Sequence, residues 1–211
     1  MRIAEEPITG LGLHGEVPIA FLVEHVLDVA LVQEGLGGVV MSERAVEVPW
    51  VKDYDAIEGE GPTRWAARFD VTNWGLISAH EAGLRLGGAV VAFDTAGVSM
   101  LEGRRDLAVL WDIRVHPASR SAGIGSLLFS AVETWARDRN CRTLKVETQN
   151  TNVPACRFYR RMGCKLASID RFAYTNLPDE AQSFGSRHCE PVVMGHLSAV
   201  ADRWDLPACT D

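Results

Sequence analysis

At 211 residues and 47% hydrophobic content, the chain is long enough to bury one sizeable core and lies near the upper end for a single compact domain without added elements. A formal net charge of −7 with no clustered basic face speaks against nucleic acid as a partner and suits cationic substrates better. The five cysteines are odd in number and scattered with no C-x-x-C pair, which indicates neither a disulfide framework nor a zinc knuckle and predicts a reducing, cytoplasmic setting.

In chain order, the most apolar early stretch runs from Ile19 to Val32. Glu24, His25 and Asp28 interrupt it, so it reads neither as a membrane-spanning helix nor as a signal-peptide core. Its periodicity leaves strand and helix open, with strand favoured for the first half. Gly35 to Gly38 and Gly59 to Pro62 read as loops. Gly75 to Ala79 and Gly88 to Phe93 are apolar runs around a turn-rich centre at His80, Glu81, Ala82 and Gly83, the pattern of an antiparallel hairpin with His80 exposed in its turn.

Leu107 to Val115 is a further β-prone run that stops before Pro117, because proline cannot donate to a sheet ladder. A glycine turn follows. Leu127, Leu128, Ala131, Val132, Trp135 and Ala136 then recur at helical spacing, predicting an amphipathic helix that closes near Arg139. Thr143 to Thr148 is β-prone. Pro154 to Arg161 predicts a short helix with proline in its first turn, where a missing N–H costs least, and with Gly163 as the cap at its end. Leu166 to Ile169 and Pro191 to Leu197 read as last strands, and Leu177 to Cys189 as loop. These elements predict an α/β chain with a mixed, mostly antiparallel central sheet and helices on both faces.

The chemistry concentrates at Arg120 to Gly125, an R-x-x-G-x-G pattern between a strand and a helix. The first N–H groups of a helix have no partner within it and carry the positive end of its dipole, so an anion such as pyrophosphate fits there. Gly123 and Gly125 let the backbone approach phosphates, and no Lys-Ser/Thr follows as in a nucleotide P-loop. By itself the pattern is equally an ordinary strand-to-helix turn.

The continuation decides more. The strand, glycine turn, helix and "ETQNTNVPACRFYRRMGC" from Glu147 to Cys164 together resemble a GNAT-type N-acetyltransferase over roughly residues 72 to 175. "VETQNTNVPACRFY", from Val146, and "YTNLP" at Tyr174 to Pro178 resemble the streptothricin acetyltransferases in particular. The resemblance implies a single GNAT domain over 1–211, with a core of about 72–198 and acceptor-side elements in 1–71. It implies acetyl-CoA as co-substrate. The backbone of Ile113, Arg114 and Val115 would hydrogen-bond the acetyl carbonyl and pantetheine arm. Arg120, Ser121, Ala122, Gly123, Ile124, Gly125 and Ser126 would bind the pyrophosphate. Asn152 matches the asparagine that contacts the CoA arm, and Tyr159 the tyrosine beside the thioester sulfur.

Those residue types suit the roles. An asparagine offers donor and acceptor together, and a phenol with a reference pKa of about 10 can protonate a thiolate whose reference is about 8.5. A substrate ammonium with a reference pKa of about 10.4 must lose a proton before it attacks, which calls for a carboxylate acting directly or through water. Glu147 is the first choice. Asp112 is the second, and an acid paired structurally with a nearby arginine is an equal reading of it; strand alternation sets it on the face opposite Ile113. In the streptothricin enzymes an acid stands before this aspartate, and Trp111 takes its place here. Cys156 reads as a small buried hydrophobe rather than a nucleophile, and His188 beside Cys189 lacks the partners of a metal site, so no metal is assigned. Trp50, Trp65, Trp74 and Trp111 read as core, although aromatic walls also suit an organic amine.

The predicted activity is acetyl transfer to a primary amine of a small cationic molecule, with a streptothricin-type antibiotic as one acceptor. A protein lysine or N-terminus is the alternative acceptor, and a non-catalytic CoA-binding regulatory module the alternative class. No membrane partner is predicted. The tail from Leu177, with Val192, Val193 and Met194, is able to complete the sheet within one chain or cross to a partner, which leaves a homodimer open.

Overall fold

The computed structural model describes residues 1–170 and the backbone of Ala199–Val200. Among these residues two compact units are distinguished, one comprising 1–21 and 52–146, the other 22–51 and 147–170.

The first unit is built on a five-stranded sheet. Its strands are β1 (Arg2–Glu6), β4 (Gly75–Glu81), β5 (Leu84–Phe93), β6 (Leu107–Val115) and β7 (Thr143–Val146), in the order β1-β4-β5-β6-β7. The first three pairings are antiparallel, and β6–β7 is parallel. β4 and β5 are apolar almost throughout because both faces of the sheet are covered. Helix α3 (Ile124–Asp138) lies on one face, where Leu128, Phe129, Val132 and Ala136 are fully buried. Leu128, Phe129 and Val132 each contribute about 1.5–3 kcal/mol by leaving water. Gly75 makes the docking possible, since a Cβ there would lie 2.4 Å from the Trp135 ring. Trp135 Nε1–H donates to Glu5 Oε1 at 2.8 Å.

Helices α1 (Leu11–Gly15) and α2 (Pro62–Arg68) supply Leu11 and Trp65 to a core cluster on the sheet that includes Trp74, Leu76, Val90, Ala92, Leu107 and Val109. Trp65, Phe69, Trp74 and Trp111 pack there as one aromatic group, with Trp74 and Trp111 centroids 5.2 Å apart and Phe69 and Trp111 5.4 Å apart. Three of the four tryptophans flagged in the sequence thus serve packing. Trp50 lies on a strand of the second unit.

β6 ends at Val115 immediately before His116-Pro117, as the proline requires. The hairpin β4–β5 turns on two residues only, Ala82 (φ 49°) and Gly83 (φ 83°), the left-handed pair that matches the twist of the strands. This corrects the placement of His80. It lies within β4 and is half-buried, with Nε2 2.9 Å from Glu6 Oε1 and 3.1 Å from Ser78 Oγ, because the tight turn extends the strand to Glu81.

In the second unit β2 (Phe21–Leu31) pairs with β3 (Val39–Lys52) as a two-stranded ribbon, so the ambiguous early run is strand in both halves. Helix α4 (Val153–Arg161) is followed by Gly163 at φ 88°, whose N–H donates to Arg160 O. β7 stops at Val146, two residues short of the β-prone run, and only Leu166 of the predicted Leu166–Ile169 strand is in β8 (Lys165–Leu166). The predicted strand Pro191–Leu197 and the loop Leu177–Cys189 lie outside the described residues.

Candidate active site

The first unit carries the strand and loop residues assigned to acetyl-CoA. The parallel ladder between β6 and β7 runs from Leu107↔Thr143 to Leu110↔Val146 and stops there, while pairing with β5 continues to Val115. Among the described residues β6 therefore has, from Trp111 onward, a strand neighbour on one side and backbone groups without a ladder partner on the other. Such a strand edge can pair with an extended ligand. Ile113 and Val115 are half-buried along it.

The register of β6 changes at this point. Val91 faces Leu110 but Val90 faces Asp112, so Trp111 is the extra residue of a β-bulge. The bulge sets Trp111 and Asp112 on the same face. Leu107, Val109 and Trp111 pack toward α1 and α2, and after the bulge Asp112 and Arg114 point there as well.

Asp112 is buried, and its oxygens accept from Arg114 Nε (2.9 Å), Arg114 Nη2 (2.7 Å) and His14 Nε2 (2.7 Å). Burial opposes its charge, but the Arg114 and His14 contacts outweigh that and hold its pKa far below the usual carboxylate range. Arg114 also donates to Val17 O at 3.1 Å and to both oxygens of Asp55 at 2.7 and 3.2 Å. The two carboxylates keep the guanidinium charged despite its burial. Sequence reasoning missed His14 and Asp55, and nothing in the local pattern marks them, since they meet Asp112 and Arg114 only through the fold.

The glycine turn leads into α3. Gly123 occupies the N-cap in the left-handed region (φ 81°, ψ −2°), and Ser121 is left-handed too at φ 65°. No side chain caps the helix, and Ser121, Ala122 and Gly123 are exposed. A 15-residue helix with an uncapped, exposed N-terminus and no Cβ at Gly123 or Gly125 suits a diphosphate. Ile124 is buried in the core, whereas Gly125 is half-buried and Ser126 exposed. The Arg120 guanidinium is occupied with backbone: Nε donates to Val115 O at 3.1 Å, and Nη2 donates to Pro18 O and Ala20 O at 3.3 and 3.1 Å. It therefore ties the end of β6 to residues 18–20.

The second unit carries Glu147, Asn152 and Tyr159. Glu147 follows β7 directly and is half-buried. Thr148 to Thr151 are buried polar residues, anchored where Asn150 exchanges bonds with Leu27: Leu27 N–H donates to Asn150 O, and Asn150 Nδ2 donates to Leu27 O, each at 3.0 Å. Asn152 is the N-cap of α4, its Oδ1 accepting from Ala155 N–H at 3.1 Å. This leaves the amide Nδ2 outside the cap. Tyr159 stands seven residues on, about two turns along the same face, and is buried with 8% of its surface exposed. Cys156 donates its thiol to Gln149 O at 3.6 Å, and burial pushes its pKa up to about 12, so it is no thiolate at neutral pH.

Among the described residues no group of three or more His, Cys, Asp or Glu is arranged to hold a metal ion, and no helix is long and apolar enough to cross a membrane.

Comparison with known proteins agrees with this fold. Residues 47–164, more than half of the chain, match the model of the acetyltransferase (GNAT) family. A streptothricin acetyltransferase of Escherichia coli is 29% identical over 160 residues, covering 75% of this chain and 78% of that protein. The crystal structure of a nourseothricin acetyltransferase superposes with a TM-score of 0.66 at 21% identity, over 94% of this chain and 96% of that one. A protein of Bacillus anthracis str. Ames, assigned as a streptothricin acetyltransferase and crystallised with acetyl coenzyme A, gives 0.66 at 20% identity over 94% and 95% of the two chains. The chain belongs to the acetyltransferase (GNAT) family and is an acetyl-CoA-dependent N-acetyltransferase.

Proposed function

We propose that the acceptor is a primary amine of a small cationic molecule of the streptothricin type. The observation that carries this reading is the similarity to the Escherichia coli streptothricin acetyltransferase, which spans three quarters of both chains. The acidic balance of the protein, −7 overall, agrees with a cationic acceptor.

In this reading the amides from Ser121 to Ser126 hold the pyrophosphate of acetyl-CoA, and Arg120 keeps the turn in place from behind. The free edge of β6 at Ile113–Val115 pairs with the pantetheine arm, and one of its N–H groups donates to the acetyl oxygen as negative charge develops there. Asn152 Nδ2 donates to the CoA arm. Glu147 removes the proton from the substrate ammonium, directly or through a water. The neutral nitrogen attacks the thioester carbon, the carbon–sulfur bond breaks, and Tyr159 protonates the departing thiolate. The protonated state of the Cys156 thiol supports direct transfer with no acyl-enzyme. Asp112, with its oxygens engaged by Arg114 and His14, is poorly placed to take a further proton, which favours Glu147 as base. The whole chain acts as one catalytic protein in this reading.

The test is thiol release from acetyl-CoA on adding streptothricin, aminoglycosides, a polyamine or a lysine peptide. Turnover with streptothricin at micromolar KM and none with the peptide supports the proposal. Preference for the peptide would assign a protein acceptor instead.

A further inference from the structure

The buried charges beneath β6 have no place in the transfer chemistry itself. His14, Asp112, Arg114 and Asp55 form one chain of hydrogen bonds through the interior of the first unit. Arg114 uses all five of its N–H donors: one from Nε to Asp112, two from Nη1 to Val17 O and Asp55, and two from Nη2 to Asp112 and Asp55. His14 has no exposed surface and its Nε2 donates to Asp112, which as an ionised carboxylate can only accept. Its Nδ1 has no hydrogen-bond partner among the described residues and sits over Gly88 of β5, where a Cβ would come within 2.6 Å. The sheet keeps a glycine where the ring must approach.

Buried ion pairs add little net stability, because desolvation offsets their attraction, and apolar residues of similar volume often serve as well. What such a cluster does supply is direction. Every bond of this one converges on Asp112 and Arg114, the two residues that flank Ile113 just past the bulge at Trp111. The bulge reverses the alternation of β6, and the cluster holds the reversed phase by clamping both inward-facing side chains to α1, to Val17 and to Asp55. The backbone so fixed is the edge beyond Leu110, which has no ladder partner on that side among the described residues.

We propose that His14, Asp112, Arg114 and Asp55 are positioning residues that set the Ile113–Val115 backbone for the acyl-pantetheine arm of acetyl-CoA. This rests on the assignment of that backbone and of the Arg120–Ser126 turn given above. The four residues touch no substrate. They fix the strand that does, so their loss weakens recognition of the arm while the pyrophosphate turn, held by α3, keeps its own affinity.

The experiment measures, by calorimetry, the binding of two ligands to the full chain. One is acetyl-CoA, and the other is 3′-phosphoadenosine 5′-diphosphate, which carries the diphosphate but no pantetheine arm. The variants are His14→Gln and Asp55→Asn, at the two ends of the chain of bonds, and their double. Asp55 is half-exposed, so Asp55→Asn keeps the test available if the His14 variant fails to fold. The expected result is a rise in Kd for acetyl-CoA of roughly 5- to 30-fold in each variant, as for a strand shifted by a fraction of an ångström. The Kd for the nucleotide stays within about twofold, and the double variant is less than additive because its parts act through one element. A merely structural role does not split the two ligands. An unchanged Kd for acetyl-CoA in a folded variant, or equal weakening of both ligands, overturns the proposal. Wild-type protein that binds neither ligand refutes the turn assignment, and the proposal falls with it.

Discussion

Replacing Gly123 by valine probes the pyrophosphate turn where its geometry is most constrained. Gly123 sits at φ 81°, and among the described residues no atom beyond its chain neighbours lies within 4 Å of the position a Cβ would take. The penalty is therefore conformational rather than steric: a residue with a Cβ in the left-handed region costs about 1–3 kcal/mol, with a β-branched one at the upper end. If acetyl-CoA requires this backbone conformation, the same 1–3 kcal/mol reduces the competent population, and Kd rises by roughly 5- to 150-fold. α3 stays docked, because Leu128, Phe129 and Val132 are completely buried and their burial, at about 1.5–3 kcal/mol each, exceeds the penalty. The melting temperature should fall by only about 2–12 °C, taking roughly 2–4 °C per kcal/mol for a chain of this size. Calorimetric titration with CoA and a thermal melt on the same sample measure both, and Gly123→Asn, which tolerates the left-handed region, should recover part of the affinity. An unaltered Kd for CoA in folded Gly123→Val would refute the assignment of this turn to the pyrophosphate.

Tyr159→Phe should slow turnover by about 10- to 10⁴-fold with little change in acetyl-CoA binding, since only the proton of the phenol is lost; equal rates in steady-state assays would remove it as the acid. Glu147→Gln should flatten the rise of kcat/KM with pH, and an unchanged profile would shift the base to another group or to water. Asp112→Asn should destabilise the fold at pH 7 by about 3 kcal/mol, the low end for breaking a buried pair, because Asp55 still neutralises Arg114. Asp112 has a folded-state pKa depressed below its unfolded value of about 3.9, so its contribution is present above that pH and lost as pH falls toward the depressed value. Denaturant melts from pH 7 to pH 2 should therefore show the gap between wild type and Asp112→Asn narrowing below about pH 4. A constant gap across that range would mean that the carboxylate titrates alike in the folded and unfolded protein and is not held charged by Arg114 and His14.

Much of this architecture is written in local patterns. Pro117 ends β6 at Val115 because a residue without an N–H cannot continue a ladder, and the 3.6-residue recurrence from Leu127 to Ala136 traces α3 because one face must be apolar to dock. Gly123 marks the turn because few other residues adopt its conformation cheaply. Asn152 and Pro154 open α4 for equally local reasons, a side-chain cap and a first turn that needs no N–H.

Other features depend on partners far along the chain. His80 read as a turn residue because its neighbours are turn formers, but the two left-handed residues Ala82 and Gly83 suffice, and pairing with β1 and β5 draws His80 into the sheet. The bulge at Trp111 leaves no mark in the sequence, since an extra residue exists only relative to the register of the opposite strand. Asp112 was legible as an acid but not as one held between His14, 98 positions away, and Arg114. Local patterns determined the order of strands and helices and the glycine turn, because those follow from backbone chemistry and short-range periodicity, and the kind of co-substrate followed from the resemblance of the motifs to the acetyltransferase family. Only the tertiary structure decided which charges are buried and what they hold in place, because burial and pairing belong to residues that folding alone brings together.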